Sequence, residues 1–246
     1  MALDESLMRL ASETGECILR VYEWSRPTLS LGRNQPARGR YDTARARELG
    51  VDIVRRLTGG RAVLHHREVT YSIAAPAIAL GSPPESYSWI NRLLLDALRR
   101  LGVGARVAEP GTAAPRPSLA PCFESPVAGE IVSEIEGQAR KLIGSAQYRE
   151  RDSLLQHGSI LVDNDQDLAT MLLARSADVL PLPVPATLHG LLGRVPVADE
   201  VFAALRSALA DATGGQAAVL PFDGPLRVSA LDENRRYSQD AWTWRL

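Results

Sequence analysis

The chain reads as an α+β protein, with mixed, largely antiparallel sheets packed with helices. Three observations predict this. Strand-like runs come grouped as hairpins rather than singly between long helices, most clearly over residues 130–162. Helical spacing recurs between them, as in Ile90, Leu93, Leu94, Ala97, Leu98 and Leu101. The 246 residues are 45% hydrophobic and 23% charged, the balance of a globular chain long enough for one large domain.

Residues 4–14 form a short helix, with Leu7, Leu10 and Ala11 on one face and Gly15 as its stop. Residues 17–24 alternate as a strand, and residues 28–31 continue extended after Pro27. Gly32-Arg33-Asn34-Gln35-Pro36 is a polar turn, followed by a helix over about residues 41–49 and a strand over 51–55. A loop over residues 56–65 carries the pair Gly59-Gly60, and residues 69–75 make the next strand. The helix with the spacing noted above covers residues 87–101. Residues 109–121 hold Pro110, Pro115, Pro117 and Pro121, so they form an irregular surface loop that ends on Cys122. Residues 130–135 and 140–148 flank Glu136-Gly137-Gln138-Ala139 as a β-hairpin, and residues 154–162 add a strand. Helical pattern returns over about residues 166–175, is broken at Pro181, Pro183 and Pro185, and resumes over 197–213. Those prolines separate a core, residues 1–180, from a small C-terminal helical cap, residues 181–246, within the same domain. The chain holds no internal repeat and no low-complexity tract.

A net charge of −1 and a pI near 6.4 give no reason to expect nucleic acid or an anionic membrane as partner. No apolar run approaches the roughly 18 residues of a membrane span, and Leu3-Asp4-Glu5 is not a basic signal region, so the cytoplasm is expected. The default oligomeric state is a monomer. Cys17 and Cys122 are too few for a disulfide scaffold and lack metal-site spacing. His65, His66 and His157 have no matching cysteine or carboxylate spacing either, so no metal is expected and they are read as polar contacts of one cleft.

Of the 28 basic residues, 27 are arginine and one is lysine, Lys141. A GC-rich genome explains arginine excess, but it replaces lysine wherever arginine will serve. The lone survivor therefore marks a place for a compact, titratable ammonium. A free cysteine is most often a buried small hydrophobe, and Cys17 in its alternating strand takes that reading. Cys122 differs, because Pro121 and Pro126 flank it at the end of an exposed loop. A thiol beside an ammonium titrates lower, and the thiolate is the competent nucleophile for acyl transfer. Cys122 and Lys141 lie 19 residues apart, across one predicted hairpin that can fold them together. Gly59-Gly60 is either a tight turn needing positive φ or a close backbone approach to a ligand. No Walker pattern and no G-x-G-x-x-G occurs.

Together these segments resemble a known family. Arg55-Arg56-Leu57-Thr58-Gly59-Gly60-Arg61-Ala62-Val63-Leu64-His65, followed by Glu68-Val69-Thr70-Tyr71-Ser72, is similar to the first signature of the biotin/lipoate protein ligase catalytic-domain family, lipoate branch. Lys141-Leu142-Ile143-Gly144-Ser145-Ala146-Gln147 and Leu155-Gln156-His157-Gly158-Ser159-Ile160-Leu161 resemble its second and third signatures, and residues 1–5 and 30–35 fit its N-terminal part. Pro121-Cys122-Phe123-Glu124-Ser125-Pro126 resembles the loop of its cysteine-dependent octanoyltransferases.

The resemblance implies the biotin/lipoate ligase catalytic-domain fold and an acyltransferase for lipoate biosynthesis. Octanoyl would pass from acyl carrier protein, through a thioester on Cys122, to a lysine of a lipoyl domain, chiefly that of the glycine cleavage H protein. Lys141 would lower the thiol's pKa. Substrate contacts would come from Arg56, Gly59, Gly60, Arg61, Ala62, His65, Tyr71, Gly144, Ser145, Ala146, His157 and Gly158. Of these, Ala62, Tyr71 and Ala146 would line an apolar tunnel with Val63, and Arg56 and His157 its polar end. No cofactor is implied. Two alternatives stay open: an ATP-dependent lipoate–protein ligase with Cys122 incidental, and an amidotransferase moving octanoyl between lipoyl domains. Ala128-Gly129 stand where the family pattern expects bulky residues, and His66-Arg67 replace a more acidic-basic pair.

Overall fold

Antiparallel pairing dominates, as the grouped strands predict. A computed structural model describes residues 1–109, 122–124, 128–174, 183–215 and 217–246. Among these, one sheet has the spatial order β1 (Ile18–Tyr22), β5 (Glu68–Pro76), β9 (Ser153–Leu161), β8 (Gln138–Arg149), β7 (Ile131–Ile135), β6 (Arg106–Val107), antiparallel throughout. A second sheet has β2 (Thr28–Leu31) between β3 (Asp52–Arg55), which is parallel to it, and β4 (Val63–His65), which is antiparallel. Strand β4 lies inside the span read as a loop.

The central strands β5 and β9 are buried along their whole length, because helices cover both faces. Side chains alternate across a strand, so Val69, Tyr71, Ile73 and Ala75 join the cluster under α3 (Pro83–Arg100) and α6 (Ala198–Thr213). Ala74 and Leu155 meet Leu7, Met8 and Ala11 of α1 (Ala2–Thr14) on the opposite face. Helix α3 starts four residues before the predicted onset. Ser82 and Glu85 form a capping box, and proline is tolerated in a first turn whose N–H groups have no intrahelical partner.

The hairpin turn is tighter than the predicted four residues. Ile135 pairs with Gln138, leaving Glu136 and Gly137 as a two-residue turn with φ of 51° and 73°. Positive φ at both positions matches strand twist, and glycine takes it without strain. Further along, Ile131 pairs with Ile143 and Val132 with Lys141, so Leu142 is an extra residue in β8. This bulge lets Leu142 and Ile143 both enter the core while turning the side chain of Lys141 to the site.

Other expectations change. The thiol of Cys17 is exposed, because β1 begins only at Ile18 as the outermost strand of its sheet. The helix read over residues 166–175 is only α4 (Asp167–Met171). Thr170 Oγ1 bonds back to the Asp167 carbonyl, and Leu173 instead bridges to Tyr41. The helix read over about residues 41–49 is α2 (Thr43–Glu48), capped by the Asp42 side chain.

The proline-rich loop over 110–121, with Pro126 and the boundary at 180/181, lies outside the described residues. Beyond that boundary come α5 (Leu188–Leu192), α6, α7 (Gly224–Tyr237) and α8 (Asp240–Thr243). Helix α6 packs on α3, whereas α7 packs on α1 through Arg236–Glu5, Arg9–Glu233 and Ser229–Ser6 contacts. That seam is largely polar, so α7 left little apolar periodicity in the sequence. Arg55 Nε donates to the Thr243 carbonyl at 2.8 Å, joining the chain end to β3.

Candidate active site

The loop after β3, strands β4, β8 and β9, and the turn Cys122–Glu124 enclose a cavity of about 290 Å³. That is near the small end of ligand pockets, about 300–1,000 Å³. Cys122 lies on its wall, half-buried. Two contacts seat the thiol. The Cys122 N–H donates to the Ala62 carbonyl at 2.9 Å, and Phe123, 3% exposed, packs against Val63 and Leu161.

Lys141 stands behind this wall. Its side chain is buried, and Nζ donates to Cys122 Sγ at 2.9 Å, to the Cys122 carbonyl at 2.8 Å and to Glu130 Oε1 at 2.6 Å. An ammonium has three donors, and each has an acceptor here. An arginine would spread its donors over a planar fork, which cannot converge on these three atoms from one point. Gly144 provides the room: a Cβ there would come within 2.9 Å of Lys141 Cε and 3.4 Å of Cys122 Sγ.

Arg56 organises the polar end. Its guanidinium donates to the carbonyls of Ser30, Gly59 and Arg61 and to the hydroxyls of Ser30 and Thr58. Burial pushes its pKa down to about 10, with the Cys122 thiol acting in the opposite direction. Gly60 holds φ at 91° to complete the loop that Arg56 clamps. Two histidines flank it. His65 Nε2 is 2.7 Å from Ser30 Oγ and its Nδ1 is 2.8 Å from Glu68 Oε1. His157 Nε2 is 2.6 Å from Thr58 Oγ1, and its Nδ1 is 3.8 Å from Asp4 Oδ2. Burial pushes His157 toward its neutral form, against the pull of Asp4. Burial alone would raise the Asp4 carboxyl, but the N-terminal amine, His157 and Arg20 hold it well below the usual carboxylate range.

A half-buried thiol beside a buried ammonium, on a cavity with small and apolar walls, is an arrangement suited to acyl transfer. The model of the lipoyl protein ligase A/B catalytic domain matches residues 1–210. The chain belongs to that family.

Its relatives include the octanoyltransferase LipM of Kyrpidia tusciae, 38% identical over all of this chain and 93% of that protein. The octanoyltransferase LipM of Carboxydothermus hydrogenoformans is 44% identical, over 68% of this chain and 61% of that protein. Among solved structures, a lipoate-protein ligase A bound with ATP superposes with a TM-score of 0.75 at 22% identity, covering 99% of this chain and 92% of its own. A bipartite lipoate protein ligase from Thermoplasma acidophilum does so with a TM-score of 0.72 at 22% identity, over 99% and 89%. These likenesses carry the fold alone.

In this lipoyl protein ligase A/B catalytic domain the predicted site residues divide. Arg56, Gly60, Arg61, His65, Cys122, Gly144, Ser145, Ala146, His157 and Gly158 line the cavity, as does Val63. Gly59, Ala62, Tyr71 and Lys141 lie behind the lining. The Gly59 and Ala62 carbonyls hold Arg56 and Cys122, and Tyr71 supports Ser145 Oγ through a 2.7 Å hydrogen bond. Tyr71 therefore lines no tunnel; burial pushes its hydroxyl up to about 12, against its bonds to Ser145 and Gln156. His66 leaves the cleft and pairs with Asp165, because neighbouring residues project to opposite sides. Among the described residues, no group of three or more His, Cys, Asp or Glu is placed to hold a metal ion. Sequence reasoning missed Glu130, Ser30, Thr70 and Tyr87. Only Glu130 left a signal, as an acid opening the strand that pairs with the lysine's strand.

Proposed function

We propose that the protein moves octanoyl from acyl carrier protein to a lysine of a lipoyl domain, first that of the glycine cleavage H protein, through a thioester on Cys122. The carrying observation is the 2.9 Å contact between Lys141 Nζ and Cys122 Sγ at the cavity wall. LipM octanoyltransferases aligned along the whole chain support octanoyl transfer for lipoate biosynthesis. Family members act on lipoyl-domain proteins.

The Cys122 thiolate, paired with the Lys141 ammonium, attacks the carbonyl carbon of the donor thioester. The new C–S bond forms, the old one breaks, and the carrier's sulfur leaves and takes a proton. The acceptor amine then attacks the acyl-enzyme carbonyl carbon; the C–N bond of the amide forms, the C–S bond breaks, the nitrogen loses a proton, and Cys122 is released as the thiolate. A thioester carries enough driving force to form an amide, so the transfer needs no ATP. Val63, Gly144 and Ala146 offer the acyl chain an apolar wall.

Intact-protein mass spectrometry tests this. Mixing the protein with octanoyl-acyl carrier protein, without ATP, should give a hydroxylamine-labile octanoyl adduct that Cys122→Ala lacks. No adduct, with H protein modified only when ATP and free octanoate are supplied, would overturn the proposal in favour of a ligase.

A further inference from the structure

The second half of this transfer needs a base. In the resting site the three N–H bonds of Lys141 are directed at the sulfur and carbonyl of Cys122 and at the Glu130 carboxylate. The acceptor lysine arrives as an ammonium and must lose two protons to become an amide.

We propose that Ser30, His65 and Glu68 form a proton relay that activates the acceptor amine, an inference resting on the thioester reading above. Ser30 and His65 line the same cavity as Cys122. The direction of the hydrogen bonds follows from the donors present. Trp24 Nε1 donates to Thr70 Oγ1 at 2.8 Å, so the Thr70 hydroxyl is left to donate to Glu68 Oε1, as the contact between them allows. The Glu68 carboxylate can only accept, so His65 Nδ1 carries the proton in the 2.8 Å bond between them. His65 Nε2 is then an acceptor. Arg56 Nη1 donates to Ser30 Oγ at 3.1 Å, and the Ser30 hydroxyl hydrogen is directed to His65 Nε2 at 2.7 Å.

Hydroxyl, imidazole and carboxylate thus follow one another in the order of a hydrolase triad, with Ser30 and His65 on the wall of the cavity that Cys122 lines. Trp24 stacks on the His65 ring at 4.5 Å between centroids, and Ser159 Oγ lies 3.3 Å from Nδ1, so the imidazole is held in one orientation. Glu68, 2% exposed, is the positioning residue. The corresponding arm through Thr58 and His157 is less suited: Thr58 does not line the cavity, and Asp4 stands 3.8 Å from the imidazole.

One proton passes from the acceptor ammonium to Ser30 Oγ as the hydroxyl proton moves to His65 Nε2, and Glu68 stabilises the imidazolium. The neutral amine attacks the thioester carbonyl carbon. The second proton leaves the nitrogen as the C–S bond breaks and Cys122 is released as the thiolate. Both then reach solvent as the thiolate–ammonium pair reforms.

The test separates the two half-reactions by mass spectrometry of the octanoyl-enzyme. His65→Gln keeps an acceptor for Ser30 but no base, and Ser30→Ala breaks the chain at its first link. Both should still take octanoyl from the carrier, while discharge to H protein falls by at least about a hundredfold, the scale of general-base catalysis. Hydroxylamine is already neutral at pH 7, so it should discharge both variants at the wild-type rate. That readout would not survive a collapsed site. Wild-type discharge to H protein, or equal loss with both nucleophiles, would overturn the relay. An absence of adduct on the wild-type protein would remove the thioester reading itself and the relay with it, a failure visible before any variant is compared.

Discussion

Alanine at Gly32 tests how tightly the cavity's arginine-clamped loop is packed. A Cβ there would stand 1.9 Å from the Gly60 carbonyl oxygen and 3.3 Å from the Gly59 carbonyl carbon. Neither side yields cheaply. Gly32 is held through its carbonyl by Arg55 Nη1 at 2.6 Å and through its N–H by Gln35 Oε1 at 3.1 Å. The facing loop is held by Arg56 Nη2, 2.7 Å from both the Gly59 and Arg61 carbonyls. Overpacking costs about 1–3 kcal/mol, and a buried carbonyl that loses its donor costs about 1–3 more. Taking roughly 3–5 kcal/mol in total, at about 2–4 °C per kcal/mol for a chain of this size, the melting temperature should fall by about 6–20 °C. Thermal unfolding followed by circular dichroism reads this directly. Gly104→Ala is the control, since nothing lies within 4 Å of its Cβ, and it should stay within about 0.5 kcal/mol of wild type. Gly32→Ala melting with the wild type would refute the clamped-loop argument.

Other predictions concern charge. Lys141→Arg should slow formation of the octanoyl adduct by at least about a hundredfold, and should slow iodoacetamide alkylation of Cys122 as well. Wild-type rates in both assays would sink the demand for a compact ammonium. Arg56→Lys should lower the melting temperature by at least about 6 °C, because an ammonium cannot satisfy three carbonyls and two hydroxyls spread around a guanidinium. Asp4, held below its usual pKa, contributes stability that is present above the ordinary carboxylate range and lost as the pH falls, because the unfolded chain then binds more protons. Urea titrations of Asp4→Asn should therefore show a shallower acid dependence than wild type below about pH 5; parallel curves would contradict the assignment.

Much of the frame was legible from local pattern. Helices α3 and α6, strands β2, β5, β8 and β9, and the hairpin at Gly137 all follow from periodicity and turn residues, which act over a few positions. Helix α7 was not legible, since a helix that packs through ion pairs and serines shows little hydrophobic stripe. The bulge at Leu142 was hidden too, because an extra residue is defined only against the partner strand.

The site divides along the same line. Composition and spacing by themselves single out Cys122 and Lys141, because a lone lysine among arginines and a thiol between prolines are properties of the chain as a string. What surrounds them is decided by closure of the fold. Glu130 reaches Lys141 because β7 pairs with β8, and Ser30 meets His65 because β2 lies beside β4. Asp4 approaches His157 only because α1 crosses the face of β5 and β9. Hydrogen bonds and charge pairs act over a few ångströms in space, whereas sequence patterns report neighbours along the chain. The sequence therefore singles out the thiol and the lysine, and the tertiary structure chooses the acids, hydroxyls and orientations that surround them.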